Sequence, residues 1–213
     1  MSLDAEPTRS AGRLLEALVI RDATVAEFDQ ASAVLLDAYR EYKPDPLPAK
    51  WAGIWEGYWC EIGAVHARAD EAQLIVAAIG DRIVGAVTFY PDGSRSKVID
   101  WPTGWAVIRL LGISPDCRRR GIGRALTEEC LRRARWHGAR AVGLHTDSRM
   151  PAAQQLYAQL GFRRAPELDY QPVPVITVMG WTQDLVGATS CCCQRGPRRH
   201  RRRAGSCPVL GRC

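Results

Sequence analysis

The sequence has few of the features on which secreted and membrane-spanning proteins depend. Only three of its eight cysteines, Cys60, Cys117 and Cys130, precede residue 186, which is too few for a disulfide framework. No stretch approaches the ~20 apolar residues that a membrane helix needs. Asp4 and Glu6 precede any apolar stretch, which is the wrong charge order for a secretory signal. These absences predict a soluble, cytoplasmic protein with no membrane partner.

Acidic residues are missing from the C-terminal segment 186–213, which holds seven arginines and five of the eight cysteines. The net charge of +6 therefore belongs to this segment, and the rest of the chain is close to neutral. Because the segment has no helical or strand periodicity, we expect a disordered tail. Its arginine run 198–203 leaves nucleic-acid binding as an alternative function, but the near-neutral body argues against that partner. Cysteines 191–193 lack the spacing of zinc ligands, so we expect no metal.

Length and composition predict one domain, residues 19–185, after a flexible segment 1–18. Thr24 and Glu27 have the spacing of a capping box, which predicts the start of the first helix. The pattern βααβββαβαβ predicts an α/β (α+β) fold, in which helices flank a mixed, mainly antiparallel central sheet. The predicted strands are 19–21, 74–79, 83–90, 105–113, 141–146, a short 162–164 and 173–181, and the predicted helices are 24–39, 51–68, 121–137 and 151–160.

The second predicted helix, 51–68, is unusually aromatic. Its apolar side chains recur at helical spacing, which is typical of a face buried in the core. We therefore expect core packing for most of them, with one or two rings facing a ligand pocket. They are Trp51, Ile54, Trp55, Tyr58, Trp59 and Ile62.

A turn crowded with arginine and glycine joins the predicted strand 105–113 to the helix that follows it. Gly121 and Gly123 let the backbone approach a ligand closely, and a helix start presents unpaired N–H groups to an anion. No Gly-Lys-Ser/Thr follows, and Leu126 stands where the third glycine of G-x-G-x-x-G would be, so both common nucleotide motifs are excluded. The turn still predicts a pyrophosphate site.

Two ordered motifs resemble those of the GCN5-related N-acetyltransferases. Arg118, Gly121 and Gly123 match the family's R/Q-x-x-G-x-G/A signature. About thirty residues on, the segment 153–162 is similar to the family's A-x-x-L-Y-x-x-L-G-F segment, with its tyrosine at Tyr157. The first motif alone would also fit a generic anion site, and the second would also fit plain core packing. Because both motifs occur in this order and at this separation, the chain is identified as a suspected member of this family.

The resemblance implies acetyl-CoA as the cosubstrate and an N-acetyltransferase whose acceptor amine attacks directly, without a covalent enzyme intermediate. The amine could belong to a small molecule or a peptide, and a homodimer stays open. The pyrophosphate would bind the amides of 119–124, with Arg118 and Arg124 as supporting charges, and the pantetheine arm would pair with strand 111–113. Tyr157 would protonate the CoA thiolate, unless it is a structural tyrosine. The implied cofactor-binding residues are Leu111, Gly112, Ile113, Arg118, Arg119, Arg120, Gly121, Ile122, Gly123 and Arg124.

The sequence departs from the family pattern in two places. Val107 and Ile108 stand where an acidic residue is often found, so the general base stays unassigned. Met150 stands where an asparagine commonly opens the tyrosine helix. The missing carboxylate keeps open a catalytically silent acyl-CoA-binding module as the alternative function. The remaining candidates for the base are Asp100, Glu56, Glu61, His145 or a water relay.

Overall fold

In the computed structural model, which describes residues 18–43, 48–174 and 176–185, eight strands form one sheet. Their order is β1-β2-β3-β4-β5-β8-β6, and β7 pairs with β8. Among these described strands every pairing is antiparallel except that of β4 with β5, which confirms the mixed, mainly antiparallel sheet. The strands are β1 (Leu18–Asp22), β2 (Gln73–Ile79), β3 (Arg82–Tyr90), β4 (Trp105–Ile113), β5 (Ala141–Asp147), β6 (Arg163–Arg164), β7 (Tyr170–Val173) and β8 (Ile176–Asp184).

Helices cover both faces of the sheet. On β2, Ile75 and Ala77 pack toward α4 and α5, whereas Leu74 and Val76 pack toward α1, α2 and α3. This two-sided burial explains why β2 is a continuous apolar run instead of an alternating one. No helix within the described ranges is long and apolar enough to cross a bilayer. The helices are α1 (Phe28–Tyr39), α2 (Ala52–Gly63), α3 (Val65–Ala69), α4 (Ile122–Trp136) and α5 (Pro151–Gln159).

The predicted helix 51–68 is wrong in one respect, because it is interrupted at Ala64. There the backbone leaves helical geometry, with ψ at 53°. Arg68 folds back from α3, and its guanidinium donates to the carbonyl oxygens of Glu61 and Ile62 at the end of α2. The side chain therefore satisfies helix-end acceptors that would otherwise stay unpaired. The capping box at Thr24 and Glu27 is present as expected.

The predicted strand 173–181 is a hairpin of β7 and β8 instead of one strand. Pro174 lies in the turn between them, where its missing N–H prevents a continuous ladder. Apart from Leu18, which begins β1, the expected N-terminal segment 1–18 and the tail 186–213 lie outside the described residues. The domain boundaries and the tail's alternative function stay predictions.

The sheet opens between β4 and β5. Their parallel pairing ends at Ile108 and Leu144, although both strands continue. Two residues beyond Ile108, Leu110 adopts a left-handed φ of 52°, and the register with β3 gains one residue on β4. A bulge of this kind bends its strand and increases the local twist. The bulge accompanies the divergence of β4 from β5, which leaves a gap in the middle of the sheet.

Candidate active site

A cavity of about 550 Å³ lies at the gap between β4 and β5. Tyr39 and Tyr58 line it from the side of the sheet that α1 and α2 cover. Ala153 and Tyr157 line it from α5, on the opposite side. The cavity therefore passes through the sheet between the two diverging strands.

Beyond Ile108, none of the described strands pairs with the side of β4 that borders this gap. The Ser114 N–H donates to the Val84 carbonyl oxygen of β3 at 2.9 Å. Because successive residues of a strand direct their backbone groups to opposite sides, Leu111 and Ile113 face away from β3 and toward the gap. Consistently, the Ile113 carbonyl oxygen accepts from Arg118 Nε at 3.5 Å. An extended ligand could pair with this edge.

Gly112 allows α1 to lie close against this part of β4. A Cβ at residue 112 would come within 2.9 Å of Leu35 Cδ2 and 3.0 Å of Ala38 Cβ. A Cβ here would therefore require the Leu35 side chain to move and Ala38 on α1 to shift by a few tenths of an ångström. The glycine thus sets the distance between α1 and the strand edge.

The loop 118–123 presents a cluster of backbone N–H groups. Arg119 and Gly121 adopt left-handed φ angles of 61° and 79°, and Gly121 is the N-terminal cap of α4. The Ala125 N–H donates to the Gly121 carbonyl oxygen at 3.0 Å and closes the first turn. Within the described residues, the N–H groups of 119–124 have no protein acceptor. Such a cluster at the positive end of a helix dipole has the geometry to bind an anion.

The three arginines of this loop and Arg124, on the first turn of α4, divide into two pairs. Arg118 Nη1 donates to Glu41 at 2.6 Å and its Nη2 to the Ala38 carbonyl at 3.1 Å, so its side chain is fixed to the end of α1. The two Arg124 Nη atoms contact carboxylate and amide oxygens on α4 and α5 at 3.3 Å. Arg119 and Arg120 make no side-chain hydrogen bond or ion pair to the described residues. They, more than Arg118 and Arg124, can turn toward an anion.

Tyr157 is buried and contacts the cavity from α5. Its ring packs edge-to-face on Phe162, with centroids 5.7 Å apart. No hydrogen bond joins its hydroxyl to another group in the part of the chain that the structure describes, so a structural bond does not occupy it. Burial raises the pKa of Tyr157 well above its ordinary value, which keeps the phenol protonated. The geometry suits a proton donor.

These features can be compared with known proteins. A family model described as Acetyltransferase (GNAT) family matches residues 33–162, more than half of the chain. The chain belongs to the GNAT acetyltransferase family. The matched segment runs from α1 to the residue after Gly161, and it includes the diverging strands, the arginine-glycine loop and Tyr157.

Curated relatives are mycothiol acetyltransferases. That of Geodermatophilus obscurus is 35% identical over 97 residues, covering 45% of this chain and 30% of the relative. That of Cellulomonas flavigena is 30% identical over 113 residues, covering 49% of this chain and 31% of the relative. The chain thus spans less than a third of the length of the curated relatives it matches.

Solved structures share the fold at low identity. The ribosomal-protein-S18-alanine N-acetyltransferase of Escherichia coli has a TM-score of 0.57 and 15% identity, with 82% of this chain and 98% of that chain covered. The PaiA N-acetyltransferase of Thermoplasma acidophilum, solved with coenzyme A, has a TM-score of 0.57 and 12% identity, with 76% and 97% covered. Identity this low supports the GNAT fold and nothing narrower.

In this GNAT domain His145 is the base candidate that contacts the cavity. Leu144, the residue before it on β5, packs in the core on the face that α4 and α5 cover. The His145 side chain therefore lies on the opposite face of the sheet, against Trp101 and Tyr170. Its Nε2 lies 2.9 Å from the Leu168 carbonyl oxygen. A carbonyl only accepts, so Nε2 carries the hydrogen and Nδ1 keeps a lone pair.

The charge state of His145 follows from its surroundings. Burial lowers its pKa below the ordinary 6.5, against the hydrogen bond to the Leu168 carbonyl, which raises it. The cation Arg109 on β4 lowers the pKa further, and the Asp169 carboxylate raises it. The lowered pKa predicts a neutral imidazole at pH 7. The neutral form can accept a proton at Nδ1.

The other base candidates are less well placed. Neither Asp100 nor Glu56 lines the cavity, and Glu61 is bound in an ion pair with Arg109. Sequence reasoning missed Asp147, which lines the cavity at the end of β5 and pairs with Arg149 at 2.6 Å. The sequence signal that could have indicated Asp147 is its position at the end of a predicted strand, three residues before Met150. Among the described residues, no cluster of three or more His, Cys, Asp or Glu side chains could hold a metal.

Fewer of the aromatic side chains in and just before α2 pack only against the protein core than the sequence predicts. Three rings, those of Trp51, Trp55 and Tyr58, line the cavity together with Ile54, whereas one or two rings were expected there. Trp59 packs with the core beneath α1 and α2, as predicted. The helical spacing is the same for a face buried against protein and a face buried against a ligand, which is why the sequence did not separate them.

Proposed function

We propose that this chain transfers the acetyl group of acetyl-CoA to an amine of a small molecule or peptide. The observation that carries the proposal is the cavity through the sheet, open beside the free edge of β4. The anion-binding loop 118–123 follows that edge directly in the chain. Membership of the GNAT family supports the same conclusion.

The residues present fit the two polar parts of coenzyme A. The N–H groups of 119–124 would hold the pyrophosphate, with charge added by Arg119 and Arg120. The backbone groups of Leu111 and Ile113 would pair with the amides of the pantetheine arm, and Gly112 between them would keep α1 packed close behind the strand. Gly121, Ile122 and Gly123 form the first turn of α4, where bulk would block the phosphates. Acetyl-CoA supplies the acetyl thioester.

Proton transfer would use side chains on opposite faces of the sheet. His145 lies on the face shared with α1 and α2, and Nδ1 would take the proton that the amine loses as its nitrogen bonds to the acetyl carbon. Tyr157 lies on the α5 face and would give its phenol proton to the thiolate as the carbon–sulfur bond breaks. General acid and base groups of this kind contribute about 10²- to 10⁴-fold each.

The test is calorimetric titration of the full chain with acetyl-CoA and CoA, followed by thiol release with a panel of amines. Saturable binding with thiol release supports the proposed transferase. Saturable binding without release for any amine supports the silent acyl-CoA-binding module instead. A folded chain that binds neither acetyl-CoA nor CoA would overturn both the transferase and the acyl-CoA-binding module.

A further inference from the structure

We propose that the acceptor is a monoamine with an aromatic body, and that polyamines and other polycations are poor substrates. This inference rests on the proposed acetyl transfer and names the acceptor class of the same cavity. It is carried by the rings and the charges on the α1 and α2 side of the sheet.

Aromatic rings form most of the wall on this side. Tyr39 and Tyr58 pack edge-to-face with centroids 6.3 Å apart, and Trp55 and Tyr58 do so at 5.9 Å. Trp55 is further held by stacking on Trp59 at 6.0 Å. Rings that fix one another lose little freedom when a ligand binds, so the wall is preorganised for a flat apolar group. Tyr170 lines the cavity from the β7 side.

Apolar side chains continue this wall outward from the cavity. Ile54 lines the cavity yet is 47% exposed, on the first turn of α2. Val98 and Val178 line the cavity from other elements. A concave apolar surface of this size is typical of a small-molecule site, in which a few polar groups set the orientation.

The charged groups of the cavity do not favour a polycation. Among the residues that the structure describes, the lining holds one carboxylate, Asp147, and two guanidinium groups, Arg109 and Arg149. Asp147 is paired with Arg149, and Arg109 is paired with Glu61 just behind the wall. Each carboxylate is therefore compensated by a cation of the protein itself. A second or third ammonium group would be desolvated here without a counter-charge.

The cavity has room for one amine group between the aromatic wall and His145. Ring faces attract one cation at close range, and His145 lines the same cavity at the point where β4 and β5 diverge. An arylalkyl monoamine could thus keep its ring against Trp55 and Tyr58 while its nitrogen reaches toward His145. A peptide N-terminus would instead carry a polar backbone along the apolar wall.

The experiment compares kcat/KM from thiol release for 2-phenylethylamine, tryptamine, spermidine and a lysine-containing peptide, using the full chain with acetyl-CoA. We expect the two arylalkylamines to exceed spermidine and the peptide by at least about tenfold. Faster turnover of spermidine or of the peptide would overturn the inference and leave the proposed function intact. No turnover of any amine would overturn the proposed function, and the inference with it.

Variants at the wall make the comparison independent of the absolute rates. Ile54→Asp adds a carboxylate to the cavity lining at an exposed position, so we expect the ratio of arylalkylamine to spermidine kcat/KM to fall about tenfold or more. Trp55→Ala tests the buried ring, and Trp51→Ala tests a less buried one if the Trp55 variant is unstable. Trp136→Ala is the matched control, because Trp136 is 77% exposed on α4 and outside the cavity. An unchanged ratio in folded Ile54→Asp and Trp51→Ala proteins would contradict the proposal.

Discussion

At the scale of single residues, the proposed roles of Tyr157 and His145 each require the neutral form of the side chain. Burial raises the pKa of the phenol and lowers that of the imidazole, since both shifts disfavour the charged form. Tyr157 consequently has a proton to give, and His145 has a lone pair with which to accept one. The resemblance to the family motif suggested Tyr157, and residue type alone suggested His145, but only the fold separates His145 from Asp100, Glu56 and Glu61.

Replacing Tyr157 by Phe removes the proposed proton donor and little else. Its hydroxyl has no hydrogen-bond partner in the described chain, so we expect nearly unchanged stability. We expect kcat to fall about 10²-fold, while the Kd for acetyl-CoA stays within about twofold. Tyr90→Phe is the control, because Tyr90 is equally buried but lies outside the cavity. Full activity in the Tyr157 variant would return that residue to a structural role.

Replacing His145 by Gln should change the pH profile. In the unaltered protein, kcat/KM should fall as the pH drops below the lowered His145 pKa, on the acid side of 6.5, because protonation removes the lone pair. Glutamine keeps an N–H that can donate to the Leu168 carbonyl but cannot accept the proton, so the acid limb should disappear together with most of the rate. His137→Gln, at an exposed histidine, should keep the limb. An acid limb that persists in the His145 variant would exclude this base.

At the scale of elements, we propose that cofactor affinity depends on the loop 118–123 and the start of α4. Gly123→Glu places a carboxylate in the N–H cluster, and its Cβ would lie 3.3 Å from Leu156 Cδ2. We expect the Kd for acetyl-CoA to rise at least about 100-fold, measured by calorimetry. Gly123→Ala separates bulk from charge, and we expect a smaller loss there.

A matched control for this charge is Gly57→Glu, at a helical glycine whose added Cβ would meet nothing within 4 Å. The control should bind acetyl-CoA normally. An unaltered affinity in a folded Gly123→Glu protein would show that the pyrophosphate binds elsewhere.

The elements also show where prediction from sequence stops. Most strands and helices were predictable because apolar periodicity, the capping box at Thr24 and the glycines reflect local chemistry. The break at Ala64 was not, because it depends on Arg68 reaching the end of α2, a contact made only in the folded chain. The bulge at Leu110 was not either, since leucine rarely adopts a left-handed φ and only the surrounding sheet can hold it there.

At the scale of the whole molecule, ion pairs connect α4 to the edge of the sheet farthest from the site. Arg133 bonds Glu129 on its own helix, and it also donates to Asp22 of β1 and to Gln73 of β2 at 2.9 Å. Arg132 binds the same Glu129 carboxylate at 2.7 Å. This carboxylate therefore positions the arginine that joins the helix to two strands.

Replacing Glu129 by Gln should destabilise the fold in a pH-dependent way. The hydrogen bond from Arg132 lowers the pKa of Glu129 from 4.5 to about 2 in the folded chain. A carboxylate with a depressed folded-state pKa contributes stability above its unfolded pKa, and that stability is lost as the pH falls toward 2. We expect the variant to lose about 1 to 2 kcal/mol of unfolding free energy at pH 7, with the difference shrinking toward zero near pH 2. Denaturant unfolding between pH 2 and pH 7 measures this difference in unfolding free energy.

The control is the neighbouring Glu128→Gln, at a more exposed ion pair with Arg124. It should change the free energy of unfolding by less than about 0.5 kcal/mol. A loss in the Glu129 variant that is equal at both pH values would mean that side-chain packing, not the charge, makes the connection.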